Sequence, residues 1–240
     1  MTNGDTYHGE WKDDLKHGIF ILFNLGNGSY SWNKSGNIYE GEWAFDKRSG
    51  YGTLSVTYLE KPNLETNDAQ VFISNLKKSA KITKKIIKLY AGQWEYDMRH
   101  GLGTCYYPNG NVYTGKWEFD MKEGWGTMEY ADGSIYQGEF HKENRHGQGV
   151  LLLSSGDRYE GMWFNDVKEG PGKFIYRSKR RVYEGEWSLD LPKCGTLKDL
   201  PGISGYTPKY PIPKNDLESP ELILEAQKNI LKADRLQRIV

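Results

Sequence analysis

Histidines, acids, cysteines and paired glycines are the groups in this sequence whose types and spacing could carry chemistry. His17, His100 and His146 each stand immediately before a glycine, and His100 and His146 each precede a Gly-x-Gly. A histidine set suggests a metal site, which needs its ligand nitrogens about 2 Å from one ion. Asp14, Asp46, Asp97, Asp120, Glu143, Asp166 and Asp190 each fall three residues after an aromatic residue. Paired carboxylates suggest acid–base chemistry, which needs two of them flanking one bond. The glycine pairs suggest a phosphate cradle. None continues to Gly-x-Gly-x-x-Gly, however, and no lysine follows in Walker fashion. No serine sits in a nucleophile-elbow context. Cys105 takes the place that Leu54 and Met128 hold elsewhere and reads as packing, while Cys194 falls in an irregular stretch and is expected to be exposed.

The elements that position these groups form a repeat. Tyr7-x-Gly9-x-Trp11 returns as Tyr39-Gly41-Trp43, Tyr90-Gly92-Trp94, Tyr113-Gly115-Trp117, Tyr136-Gly138-Phe140, Tyr159-Gly161-Trp163 and Tyr183-Gly185-Trp187. From Tyr90 to Tyr159 the step is 23 residues, and longer steps follow Tyr7 and Tyr39. Seven residues after the aromatic comes Gly50/Gly52, Gly101/Gly103, Gly124/Gly126, Gly147/Gly149 or Gly170/Gly172. The first copy reads as Gly18 with Phe20 replacing the second glycine, and the last copy, Lys193-Cys194-Gly195-Thr196, is one residue short.

A spacing of two puts Tyr, Gly and Trp on one strand face, with polar Glu40, Glu42, Thr114 and Lys116 on the other. The central glycine leaves room for a ring to lie flat across it. Asn109-Gly110, Asp132-Gly133, Ser35-Gly36 and Ser155-Gly156 lie between repeats, and Asn-Gly and Asp-Gly predict type I′ turns there. The acid in the other turn is expected to close a local side-chain-to-backbone bond. Each period is thus one hairpin, and the whole is an antiparallel meander of fourteen strands, roughly 65 Å long.

This geometry disposes of the chemistry. Adjacent hairpins are about 10 Å apart, so His100 and His146 are about 19 Å apart and cannot share an ion. His141 and His146 share a turn without a third ligand. The acids stand one per hairpin, too far apart to work as a pair. No catalytic residue, metal or cofactor is expected.

Tyr-x-Gly-x-Trp, then an acid, then Gly-x-Gly, at 23 residues, resembles the MORN repeat (membrane occupation and recognition nexus) from residue 7 to about 200. The resemblance implies an all-β repeat protein: an elongated single-layer antiparallel sheet of consecutive β-hairpins, plus a C-terminal α-helix. Repeats 1–2 would span 7–57, an insertion 58–89, repeats 3–7 90–200, a proline-rich strap 201–218 and the helix 219–238. In the insertion, Ile73, Leu76, Ala80 and Ile87 fall on one helical face, with Lys77, Lys78, Lys81, Lys84, Lys85 and Lys88 towards the other. The lysine run reads first as solvated charge on a loop. Its alternative is a patch for anionic lipid, tubulin's acidic surface or RNA. Pro201, Pro208, Pro211 and Pro213 make an extended strap. Ser219-Pro220-Glu221 starts a helix whose stripe is Leu222, Ala226, Ile230 and Ala233. That helix either covers the sheet or docks on a partner.

Of 240 residues, 37% are hydrophobic and 14% aromatic, with 28 glycines, so rings on glycine-thinned strands replace the usual aliphatic core. Lys plus Arg and Asp plus Glu are 32 each, which gives no reason to expect a nucleic-acid partner. The N-terminus has no apolar targeting region, and two cysteines make no disulfide framework, so a cytoplasmic protein is expected. A single-layer sheet has nothing to cover Tyr39, Trp43, Tyr90, Trp94, Tyr113, Trp117, Tyr136, Phe140, Tyr159, Trp163, Tyr183 and Trp187. These rings read first as the only core available, partly covering one another, and whatever they leave exposed is the expected partner-binding groove. MORN resemblance implies a scaffold for cytoskeletal or membrane-linked assemblies. The C-terminal sequence, through Trp187 and Tyr210-Pro-Ile-Pro213, resembles a member that points to cilia or flagella, including sperm, with axonemal or microtubule-associated protein partners. A membrane-surface adaptor is the alternative. A regulator of a separate enzyme chain and a dimer joined by edge strands are further readings.

Overall fold

A computed structural model describes residues 4–17, 26–60 and 83–200. These residues contain no helix. The strands are β1 (Thr6–Gly9), β2 (Trp11–Lys12), β3 (Leu15–Lys16), β4 (Gly26–Ser31), β5 (Asn37–Ala44), β6 (Lys47–Glu60), β7 (Thr83–Glu95) and β8 (Met98–Tyr106). They continue as β9 (Val112–Glu118), β10 (Met121–Glu129), β11 (Ile135–His141), β12 (Asn144–Leu152), β13 (Arg158–Phe164), β14 (Val167–Tyr176), β15 (Arg181–Ser188) and β16 (Leu191–Asp199). Fourteen of them form one antiparallel sheet in chain order, and β2 with β3 makes a separate small ribbon at the first hairpin tip. The expected meander of hairpins is the observed fold. The strap 201–218 and the helix 219–238 lie outside the described residues.

One glycine from each of the fourteen strands sits in a single cross-sheet row. Gly9 pairs with Gly28, Gly28 with Gly41, and Gly41 with Gly52. The row continues through Gly92, Gly103, Gly115, Gly126, Gly138, Gly149, Gly161 and Gly172 to Gly185 and Gly195. The repeat tyrosine lies across the row. A Cβ at Gly103, Gly126 or Gly149 would collide with the ring or hydroxyl of Tyr90, Tyr113 or Tyr136. Each hydroxyl then donates to a carbonyl three residues on, as Tyr113 does to Lys116 at 3.0 Å and Tyr136 to Glu139 at 3.0 Å.

This row corrects the reading of the first copy. Its second glycine is Gly28, on β4, and not the position of Phe20. Trp11 to Gly28 spans seventeen positions where Trp43 to Gly52 spans nine, so the extra residues fall just before the glycine strand.

The turn assignment is reversed. Type I′ geometry occurs after the aromatic, at Phe45-Asp46, Tyr96-Asp97, Phe119-Asp120, Lys142-Glu143, Asn165-Asp166 and Leu189-Asp190, where φ is 45–78° at both residues. Between repeats, Gly110 donates to Tyr107 at 3.0 Å and Tyr107 to Asn111 at 2.9 Å, with positive φ at Gly110 but not at Asn109. That is a three-residue loop, a type I turn ending in a left-handed glycine. Tyr130–Ser134 and Leu153–Asp157 repeat the pattern. Asn-Gly and Asp-Gly serve here as the last two of three loop residues.

The insertion is also different. Its described ends extend the β6–β7 hairpin, with Ser55 opposite Lys88, Val56 opposite Ile87 and Tyr58 opposite Lys85. Lys84, Lys85, Ile87 and Lys88 are therefore on a strand and not on a helix. Ladder bonds with the already ordered β6 outweigh the local helical pattern. Ile73, Leu76, Lys77, Lys78, Ala80 and Lys81 lie outside the described residues.

Gly149→Ala should destabilise the sheet by about 2–3 kcal/mol, because its Cβ would run into the ring and hydroxyl of Tyr136, which is fully buried and has no room to move. Gly133→Asn, at a turn residue with φ +86° whose added Cβ would meet only Ser154 Cβ at 3.9 Å, should cost about 1 kcal/mol, the backbone penalty alone. Urea unfolding of the two variants checks both values.

Candidate interaction site

The aromatic face is not an open groove. Tyr39, Trp43, Tyr90, Trp94, Tyr113, Trp117, Tyr136, Phe140, Tyr159, Trp163 and Trp187 are all buried to 5% exposure or less, and Tyr183 is partly buried. They cover one another. Each tyrosine meets its own repeat's aromatic edge to face and then the next repeat's. Tyr90 lies 4.9 Å from Trp94 and 5.7 Å from Trp117; Tyr136 lies 5.2 Å from Phe140 and 5.3 Å from Trp163. Such T-shaped pairs are worth about 0.5–1.5 kcal/mol each beyond area burial. Four tryptophan Nε1 groups are also satisfied, by the carbonyls of Gly28, Gly52, Gly103 and Gly149.

A row of cations roofs the rings. Two residues after the turn acid stands Lys16, Arg48, Arg99, Lys122, Arg145 or Lys168. Each lies over the aromatic of the following repeat. The three guanidinium groups are closest, with Arg48 4.2 Å from Trp94, Arg99 4.0 Å from Trp117 and Arg145 4.2 Å from Trp163. Each cation also binds the following repeat's acid. Asp120 Oδ1 accepts the Arg99 backbone N–H at 2.9 Å and Nε at 2.8 Å, while Asp120 N–H donates to the Arg99 carbonyl at 3.0 Å. Asp46, Asp97, Glu143, Asp166 and Asp190 meet Lys16, Arg48, Lys122, Arg145 and Lys168 in the same way. The acid thus does not close a local turn, as expected from sequence; it locks its hairpin tip to the preceding one. Six joints have this form.

These contacts set the electrostatics. Burial pushes the Asp97 carboxyl up, and the Arg48 N–H and the cations of Lys47 and Arg48 outweigh it, holding Asp97 below the usual aspartate range. Burial raises the phenols of Tyr39, Tyr90, Tyr113, Tyr136 and Tyr159, and that of Tyr7 to about 12.

The remaining candidates scatter. His17, His100 and His146 pack on Phe45, Phe119 and Phe164 of the next repeat, at 5.1, 5.4 and 5.1 Å. His141 sits 3.0 Å from Glu123. Among the described residues no three metal-ligating side chains converge. Cys105 is buried and Cys194 exposed. Lys84, Lys85 and Lys88 are exposed on β7, next to exposed Ile86 and Ile87. Other large apolar side chains that face solvent include Phe45, Tyr96, Phe119 and Leu189 at the hairpin tips, Trp125 on the opposite face, and Trp11 at the sheet's first edge. Aligning the repeats would have exposed both the cation position and the bulky turn position. Reading outward from Tyr-x-Gly-x-Trp hid them.

The MORN repeat family model matches residues 7–19, 39–55, 90–112, 113–135, 136–158, 159–179 and 183–193. The chain belongs to the MORN-repeat family. MORN repeat-containing protein 3 of Xenopus laevis is 54% identical over 228 residues, covering 94% of this chain and 83% of that protein. The matched MORN segments pass over residues 20–38 and 56–89, where the two irregularities fall. MORN repeats imply a protein-interaction or membrane-associated role, and the family is generally non-enzymatic.

The folded sheet holds the tyrosine protons more tightly than the unfolded chain does. Their contribution to stability is complete below about pH 10, the unperturbed value, and is lost as pH rises through the higher folded values. Tyrosine ionisation followed by ultraviolet absorbance should therefore lag for the five buried rings and coincide with unfolding by circular dichroism. Independent ionisation near the ordinary value, with the sheet intact, would contradict the burial.

Proposed function

We propose that this chain is a non-catalytic scaffold of cilia or flagella, including the sperm flagellum, and binds axonemal or microtubule-associated proteins. The observation that carries the scaffold reading is the joint. It repeats six times among the described residues and uses the rings, acids and cations between the two ends of the array for internal cohesion. A rod made this way offers exposed side chains at a regular pitch of about 10 Å. The binding surface is then the exposed set, with Phe45, Tyr96 and Phe119 on three consecutive tips, and not the buried aromatic face. Aromatics are common interface anchors. The ciliary setting rests on the resemblance of the C-terminal sequence and on the similarity to MORN repeat-containing protein 3. A tagged copy in ciliated cells should stay with the detergent-resistant axoneme. Recovery in the soluble fraction alone would contradict it.

A membrane-surface adaptor is the second reading. Exposed Ile86, Ile87 and Tyr58 share the extended hairpin with Lys84, Lys85 and Lys88, a mixture that suits an anionic bilayer. Flotation with phosphatidylserine vesicles should be lost when Lys77, Lys78, Lys81, Lys84, Lys85 and Lys88 become Gln. Unchanged flotation would sink the basic-patch mechanism.

A further inference from the structure

The joint between repeats has two halves, and the two ends of the array treat them differently. One half is a cation on a glycine strand. The other is the next repeat's acid and aromatic ring. At the first edge of the sheet, β1 is paired among the described residues on one side only, with β4. The acid-and-ring half there is Asp14 with Trp11. Trp11 is 53% exposed, whereas Trp43, Trp94, Trp117, Trp163 and Trp187 are at most 5% exposed. Its ring is otherwise placed as in other repeats, edge to face on Tyr7 at 5.1 Å. Asp13-Asp14 has the same paired positive φ, 50° and 61°, as the engaged tips. No cation lies against Trp11 or Asp14 among the described residues, while the other six acids each hold one. At the far edge, the position that carries the cation in the six earlier repeats is Pro192, opposite Trp187. Proline has neither the side-chain charge nor the backbone N–H that the joint uses. The far edge therefore cannot serve as the missing half for another copy.

We infer that the Trp11–Asp14 end is a binding site for an extended strand of a different protein, one that carries arginine or lysine. The strand adds to the free edge of β1, a known mode of recognition. Its cation lies on Trp11 and binds Asp14, and a glycine four residues later meets Gly9 to continue the glycine row. The charges are complementary, and the six internal joints show the same contact made repeatedly. Head-to-tail stacking of copies by this lock is excluded by Pro192.

The probe is a fluorescent peptide of residues 144–152, Asn-Arg-His-Gly-Gln-Gly-Val-Leu-Leu, which supplies that half in the internal joint. Titrated against the full chain, it should bind, and added salt should weaken it. Asp14→Asn should reduce its affinity about fivefold, and so should the peptide's own Arg145→Gln. Asparagine tolerates the left-handed conformation, so Asp14→Asn removes charge without straining the turn. No binding up to about 1 mM overturns the inference, at concentrations where typical weak complexes are seen. So does binding that ignores both substitutions, or loss of the peptide site through self-association that depends on Asp14. The inference rests on the scaffold reading but not on its ciliary setting. Failure here would leave axonemal retention unaffected, and a soluble location would leave peptide binding unaffected.

Discussion

A one-layer sheet has no second layer against which to bury its apolar side chains, and this constraint governs the rest of the structure. The solution is to lay rings flat. A tyrosine can lie on the sheet only where strands lack Cβ atoms, and the glycine row supplies that strip through every strand. Once flat, each ring presents an edge to the aromatic of its own repeat and to that of the next. Burial then passes from repeat to repeat with no separate core. The low aliphatic content of the chain is a consequence of this arrangement.

The cations complete it. An arginine over an indole excludes water from the one side of the ring the sheet cannot reach, and its guanidinium is fixed by the acid three residues after that indole, on the following repeat's tip. The acid does two tasks, since it also accepts the backbone N–H and so aligns adjacent tips. The joint has a direction, with cation before acid along the chain. A directional joint gives the array two unlike ends, and Trp11 and Pro192 mark them. Stability in such a stack is a sum over nearest neighbours, so the end repeats are held least. The uniformly exposed β16 agrees with that.

Period and alternation made the hairpins and the aromatic face legible in the sequence, since each depends only on spacing. What escaped depended on contacts between repeats. Asp120 looked like a local turn residue because its partner, Arg99, is 21 positions away. Asn109-Gly110 looked like a two-residue turn because the paired ends, Tyr107 and Asn111, are not visible without the ladder. Gly28 was missed because an insertion displaced it from the motif, and only its pairing with Gly9 and Gly41 identifies it. The helical pattern near Ile87 gave way to pairing with Val56. The open groove expected over the rings is absent for a related reason. Tyr39 and Trp94 seem uncovered when each is considered alone, and are buried because they meet each other across the insertion.

The role of the joint can be measured through the amides that form it. Hydrogen exchange resolved by residue should find the N–H groups of Arg99, Asp120, Arg145 and Asp166 protected nearly as well as those of the neighbouring strands, although they lie at hairpin tips where exchange is normally fast. The N–H of Asp14, which meets no carbonyl of another tip among the described residues, should exchange at the rate of an open turn. Fast exchange at all of these tips would contradict the claim that the acid–cation joint holds the repeats in one sheet.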